Sequence, residues 1–392
     1  MSQTLKQIIF LSFFILTNFK ANALNYYQTY PIAVTMNGSG SSMYLSCSVY
    51  DVAQNQWYSY STSTYSNLSY QNNDGVVMFA EAGTYASVGA ITFDPEVHQF
   101  VTNTWTGYDN VTISSKDGVA AFAEGGTYAT IYCAIYDISQ NQWKSYAFTG
   151  YDNVTITNTD GIVAFAEGGT YATIYMATYD IKSQSWNSYS FTGYDNVTLL
   201  NLDGVVAFAE SGTYATIYAA TYDAGQQQWK TTSFAGYDNV TLINKNGVVA
   251  FAEGGTYATI YAATYDAWQQ SWQYSSVSGY DNVTLLNKCR IVAFAESGSG
   301  ATVCCFGYDV LNHSWSISNV TSNGVNSFAI NDGTVTWIDN NSNGHNRGFT
   351  TGSGWGNGST TLYAKFYLTN LNQSSALHLV HVRNYSTGTD NV

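Results

Sequence analysis

The sequence predicts an all-β protein, a β-propeller of 43-residue four-stranded blades. Three observations carry the prediction. The string Gly-Tyr-Asp-Asn-Val begins at Gly107, Gly150, Gly193, Gly236 and Gly279, always 43 residues apart. A second string, Phe-Ala-Glu, ends at Glu81, Glu124, Glu167, Glu210, Glu253 and Glu296, and Asp339 continues the series. No stretch shows a helical apolar period, and four short strands in about 43 residues is the size of one propeller blade.

One unit, Gly150 to Thr192, shows the strands in order. Asn153 to Thr157 alternates and is β-branched, so it is strand a. Asn158-Thr159-Asp160-Gly161 is a tight-turn signal. Ile162 to Glu167 is strand b, and Gly168-Gly169 breaks it. Thr170 to Tyr179 is strand c, and Asp180 to Ser185 is a polar turn. Trp186 to Phe191 is strand d. In strand c, Tyr171, Tyr175 and Tyr179 are four apart and fall on one face, with Ala172, Ile174, Met176 and Thr178 on the other. The large face of one blade is then expected to dock on the small face of its neighbour.

Strand b recurs eight times, beginning at Ala33, Val76, Val119, Ile162, Val205, Val248, Ile291 and Thr334, which gives eight blades. Seven is the alternative, because the copy from Thr334 to Asn370 is degenerate. The first copy starts at strand b. The alternating segment Ala376 to Arg383 is the expected missing strand a, which would close the ring and leave no unpaired edge.

The first residues read as a signal peptide: Lys6, an apolar run from Ile8 to Leu16, then Ala21-Asn22-Ala23 as the cleavage site. The run is shorter than the roughly 20 apolar residues of a membrane span. The expected mature protein, residues 24–392, is one propeller domain, secreted or periplasmic, with regular repeats over about 33–320 and a degenerate region over 321–392. Charged residues make up 10% of the chain, with 12 basic against 26 acidic residues. This balance argues against nucleic acid and anionic membranes as partners. Of the five cysteines, Cys47, Cys133 and Cys305 share one repeat position with Ala90, Met176, Ala219 and Ala262, as a packing residue would. Cys304 stands where four other copies have Tyr, and Cys289 falls in a turn.

Each unit runs as an apolar strand ending in a Gly pair, a strand ending in Tyr-Asp, a short loop and a Trp. Here that is Ile162 to Gly169, then Tyr179-Asp180, then Trp186. The order resembles the kelch repeat of kelch and galactose-oxidase-type propellers. The likeness spans about residues 33–320 and implies a propeller fold. The unit is shorter than the usual kelch repeat of about 50 residues, and Ser211-Gly212 replaces one Gly pair. The copper-radical site of the oxidases has no counterpart among the five scattered histidines.

Alternating strands put the d-to-a and b-to-c connections at the same end of every blade. There the copies gather Tyr108, Asp109, Asn110, Glu124 and Tyr128; Tyr151, Asp152, Asn153, Glu167 and Tyr171; Tyr194, Asp195, Asn196, Glu210 and Tyr214; and Tyr237, Asp238, Asn239, Glu253 and Tyr257. The next copy keeps Tyr280, Asp281, Asn282 and Glu296 but has Gly300 for the last Tyr, and an earlier one has Tyr65, Ser66, Asn67, Glu81 and Tyr85. An aromatic ring beside carboxylate and amide groups suits a sugar, and several equal sites give avidity. The structural reading of the same residues is that Asp caps its turn, Tyr packs between blades and Glu bonds across them. Asn110-Val-Thr112 and its repeats match N-glycosylation acceptors. They sit at strand starts, and a bacterial-looking leader speaks against their use.

The Tyr-Asp and Trp series read as structural. No nucleophile–base pair, phosphate loop, Ca²⁺ loop or His-based metal set is present, so no catalytic residue, metal or cofactor is expected. The expected function is a multivalent carbohydrate-binding, lectin-like propeller. A scaffold that docks a protein partner on one rim is the alternative. A glycoside-active hydrolase using Asp339, His345 or Trp355 ranks third.

Overall fold

The computed structural model describes residues 30–288, 290–297, 300–331, 333–356, 382–384 and 389–391. The signal segment, Cys289 and residues 376–381 lie outside them. Two compact units are distinguished, Met1–Val197 with Ala224–Gln228, and Thr198–Asp223 with Trp229–Val392. The fold is an all-β propeller architecture of repeated antiparallel blades. The one helical element among the described residues is a 3-10 turn, Ile138–Gln140. Among the described residues no helix is long and apolar enough to cross a membrane.

Eight repeat sheets are seen among the described residues. The first has three strands, Ala33–Ser39, Ser42–Asp51 and Gln56–Ser61. Seven have four, from the sheet that opens at Leu68 to the one that closes at Gly356. The degenerate copy therefore forms a regular blade, Ser327–Asn331, Thr334–Ile338, Gly344–Thr350 and Gly354–Gly356. Most of the expected closing strand, residues 376–381, lies outside the described residues. Its described end, Val382–Asn384, pairs with Thr389–Asn391 as a hairpin.

The fourth blade shows why these residues make these strands. Strand a is Thr155–Thr159 and strand b is Ile162–Ala166, paired from Thr159↔Ile162. Asp160 and Gly161 form the two-residue turn, with φ of 54° and 75°. Positive φ at both places is the type I′ geometry that matches strand twist and selects Asp-Gly. Strand c is Ala172–Asp180, and strand d runs Ser185–Tyr194, longer than the sequence suggests. The extension passes through a β-bulge. Ala172 pairs with Tyr194 and Thr173 with Thr192, so Gly193 is the extra residue, at φ 90°. The Gly of Gly-Tyr-Asp-Asn is thus a bulge inside strand d, where only Gly adopts that φ freely.

Tyr171 does not join the aromatic stripe. It lies before strand c, while Tyr175 stacks on Phe165 at 5.2 Å and Tyr179 is buried. Blades then stack large face to small face. Val119, Ala121, Ala123, Ile131 and Cys133 of the third blade (Thr112–Tyr151) take Phe165 and Tyr175 of the fourth. The second blade (Leu68–Tyr108) meets Phe122 and Tyr132 of the third through Met78, Ala80, Val88 and Ala90. Cys47, Cys133, Cys304 and Cys305 are buried free thiols in this packing. Burial pushes Cys47 up to about 11 and Cys305 up to about 12.

At the c-to-d end, the Tyr-Asp dipeptide and the Trp join consecutive blades. The Tyr179 hydroxyl donates to Asp137 Oδ2 (2.8 Å), Tyr136 to Asp94 (2.7 Å) and Tyr265 to Asp223 (2.6 Å). The other oxygen caps the turn: Asp180 Oδ1 accepts from Lys182 N at 2.8 Å. Trp186 Nε1 donates to the Lys144 carbonyl of the preceding blade, and Trp355 Nε1 to that of Ser316. Where Phe93 has no hydroxyl, His98 Nδ1 meets Asp51 Oδ2 at 2.7 Å.

Burial alone pushes Asp51 up, but His98 and the N–H groups of Gln54 and Ala53 outweigh it and hold the carboxyl below its usual range. Asp266 and Asp309 are held low in the same way. Backbone N–H of Asn343, then His345, bring Asp339 to about 2. Unfolded Asp titrates near pH 4 (roughly 3.9). These lowered groups therefore contribute stability that is complete above that pH and is lost as pH falls through their folded values. A melting series from pH 7 to 2 should be flat in this contribution down to about pH 4 and fall steeply below it.

Candidate functional site

The b-to-c end of each blade begins with a backbone problem. The linker from strand d to the next strand a leaves the sheet, and its N–H groups have no strand partner. Two carboxylates per copy supply one. Asp152 N donates to Glu167 Oε1 (3.1 Å), and Glu167 Oε2 accepts from Thr173 N (2.8 Å). The Glu thus ties the linker to the start of strand c. Asp152 Oδ1 in turn accepts from Tyr128 N at 2.8 Å, in the b-to-c loop of the blade just left. One linker residue is held by both blades.

The same bonds recur. Asp109 N meets Glu124 and Asp238 N meets Glu253, at 3.1 and 3.3 Å. Asp281 N meets Glu296 at 3.0 Å, and in the second blade Glu81 takes Ser66 N and Ser87 N. Glu210 Oε2 accepts from Thr216 N. The tyrosine N–H bonds are Tyr85 to Asp109, Tyr171 to Asp195, Tyr214 to Asp238 and Tyr257 to Asp281, all 2.8–2.9 Å. Linker Asn residues add a backbone bond: Asn110 N to Gly83 O, Asn153 N to Gly126 O, Asn196 N to Gly169 O and Asn239 N to Gly212 O.

The sequence-derived set therefore divides. The Glu residues are half-buried, with both oxygens of Glu124, Glu167 and Glu253 on backbone N–H groups. Tyr108, Tyr151, Tyr194 and Tyr237 are also half-buried. Tyr151 packs edge-on to Phe165 and Tyr175 of the next blade, at 5.3 and 5.0 Å, and Tyr237 donates to the Tyr261 hydroxyl. Burial, then the bond to Tyr175, pushes the Tyr151 hydroxyl well above its usual range. Asp152, Asp195, Asp238 and the four Asn are exposed, and Asp109 is half-buried.

Tyr128, Tyr171, Tyr214 and Tyr257 are different. Together with Tyr85, which the sequence placed in an outlying copy, they are 81–83% exposed. Each is held at φ between 53° and 57°, in the left-handed region. A bulky side chain there is a genuine outlier and costs on the order of 1–3 kcal/mol. The seventh blade has Gly300 at the same place with φ 74°. Glycine meets the backbone requirement without strain, so the five tyrosines serve neither backbone nor packing.

The Gly pair is also two different things. A Cβ on Gly125, Gly168 or Gly254 would meet a linker carbonyl at 3.1–3.3 Å. Ser211 and Ala82 occupy the equivalent place, so that contact yields. The second Gly has φ from 92° to 101° at Gly83, Gly126, Gly169, Gly212 and Gly255, and every one is Gly.

Asp339, His345 and Trp355 each take part in holding the last blade. Asp339 Oδ1 caps its own loop through Asn341 N and Asn343 N, and Oδ2 meets His345 at 3.1 Å. His345 stacks on Trp337 at 5.2 Å, and Trp355 fills the Trp place of its blade.

No family model matches this chain, and no curated protein matches it. Among solved structures it is similar to the β-propeller domain of the Trilobed protease from Pyrococcus furiosus, at 10% identity and a TM-score of 0.31, over 74% of this chain and 96% of that one. It is also similar to Sqt1 from Chaetomium thermophilum, at 9% identity and a TM-score of 0.30, over 79% and 92%. A third is a putative 6-phosphogluconolactonase from Bacteroides fragilis, at 11% identity and a TM-score of 0.26, over 75% and 95%. Values this low carry no activity across.

Urea unfolding of single variants should separate the two backbone places. Tyr171→Gly relieves strain but frees the unfolded chain, so stability should hold or rise by up to about 1 kcal/mol. Gly212→Ala, at φ 97°, should cost about 1–3 kcal/mol.

Proposed function

We propose that this chain is an exported, non-catalytic binding propeller, lectin-like and multivalent, whose ligand contacts are the left-handed tyrosines of the b-to-c loops. The observation that carries the reading is their exposure at a left-handed backbone place where Gly300 shows that the fold does not need a tyrosine side chain. A ring standing in solvent offers the C–H face of a sugar a flat apolar surface, with polar groups within reach around it. Three copies, Tyr85, Tyr128 and Tyr171, belong to the first unit, and Tyr214 and Tyr257 to the second. Equal weak sites on one chain raise avidity without new contacts. Export rests on the leader read in residues 1–23, and kelch-like kinship on the Gly-pair, Tyr-Asp and Trp order.

A protein partner is the second reading, and it draws on the opposite end of the blades. Trp268, in a c-to-d loop, is 72% exposed and stacks on His313. Exposed Trp is a residue of protein interfaces.

The test is a variant with all five tyrosines changed to Gly, screened with the wild type on a glycan array. The proposal expects a folded protein that melts at or above the wild-type temperature and has lost array binding. Undiminished binding by that variant moves the site away from these loops.

A further inference from the structure

The linker carboxylates separate a structural oxygen from a free one. Oδ1 of Asp109, Asp152, Asp238 and Asp281 accepts a tyrosine N–H. No donor among the described residues reaches Oδ2 of these four. The neighbouring Glu has no such spare atom, because both its oxygens lie on backbone N–H groups. Each of these copies thus presents an exposed aromatic ring hydrogen-bonded, through its own backbone, to a carboxylate with one open acceptor.

The charge around this atom is of one sign. The b-to-c loops from residue 82 to 301 and the linkers that face them contain Asp and Glu but no Lys or Arg. In blades three to seven the bases lie towards the other end: Lys116, Lys245 and Lys288 close strand a, Arg290 is in an a-to-b turn, Lys144 and Lys230 open strand d, and Lys182 is in a c-to-d loop. An anionic ligand would meet repulsion at these sites, with no Lys or Arg in these loops and linkers to offset it. A quaternary ammonium group would find the carboxylate but a single ring, where such ligands take an aromatic cage. A hydroxyl donor lying over the ring satisfies both groups.

We infer that Oδ2 of the linker Asp is the ligand-accepting atom of each site, and that the ligand class is an uncharged polyhydroxy compound, a neutral glycan as opposed to an acidic one. The inference rests on the proposed role of the tyrosines and adds the polar contact and the charge of the ligand.

The experiment uses the full mature chain and a variant carrying Asp109→Asn, Asp152→Asn, Asp238→Asn and Asp281→Asn. Asn keeps an amide oxygen for the tyrosine N–H and replaces the open acceptor with a donor. Both proteins are passed over immobilised neutral polysaccharides, heparin, polygalacturonate and phosphocholine, at low and high salt. The expected result is binding to a neutral surface only, unchanged by salt, weakened at least tenfold in the variant, with the melting temperature within a few degrees of wild type. Binding to heparin, polygalacturonate or phosphocholine in preference to every neutral surface overturns the inference, as does full neutral-glycan binding by the Asn variant. The five-fold Tyr→Gly protein on the same surfaces keeps the two levels apart. If it loses binding to a charged surface, the tyrosine reading stands and the ligand class falls. If it binds every surface as the wild type does, the tyrosine reading falls as well.

Discussion

The architecture depends on how a chain leaves one blade and enters the next without stranding its backbone donors. At the b-to-c end the answer is a relay of two carboxylates. Glu167 holds the N–H groups of Asp152 and Thr173, while Asp152 holds the N–H of Tyr128 in the blade before. Bonds donated to charged acceptors are about twice as strong as neutral ones. A chain with 10% charged residues spends much of its acidic complement this way. The relay also fixes what cannot change around it: a second Gly at φ near 95°, a bulge Gly in strand d, and a left-handed residue whose N–H must point at the Asp.

The c-to-d end solves a similar problem with other chemistry. There one Asp oxygen caps its own turn and the other takes a tyrosine hydroxyl from the next blade. These aspartates are buried, whereas Asp152 is exposed. The contrast gives the two ends different tasks. Buried carboxylates with both oxygens engaged, as in Asp94 and Asp137, hold blades together. Exposed ones with an oxygen to spare, beside exposed rings, are available to a ligand. Blade stacking between them is generic, with Phe165 and Tyr175 over the small residues of the preceding blade.

Much of the fold was legible because the repeat exposes it. A 43-residue period, an Asp-Gly turn and an apolar strand b leave little choice of architecture. The structural role of the Glu and Asp was visible only as one of two readings, since a hydrogen bond between loops distant in sequence leaves no local pattern. Tyr171 was misplaced for a physical reason. Aromatic spacing of four extends a strand face, but the spacing cannot register that the backbone turns left-handed one residue before the strand begins. The signal was present in Gly300: when one copy puts Gly where others have Tyr, positive φ is the economical explanation. The last copy could be counted as a blade, although its strand c lacks the aromatic string, because strand b recurs at Thr334 and Trp355 keeps the Trp-to-carbonyl bond.

The account's central claim is that the linker Asp clamps the left-handed tyrosine by its own N–H. Amide hydrogen exchange measures that bond directly. Tyr85, Tyr128, Tyr171, Tyr214 and Tyr257 should exchange as slowly as amides inside strand c, although their side chains stand in solvent. In an Asp195→Ala variant, Tyr171 alone of the five should become fast. Rapid exchange of all five in the wild-type protein would mean that the clamp does not hold in solution, and would contradict the account.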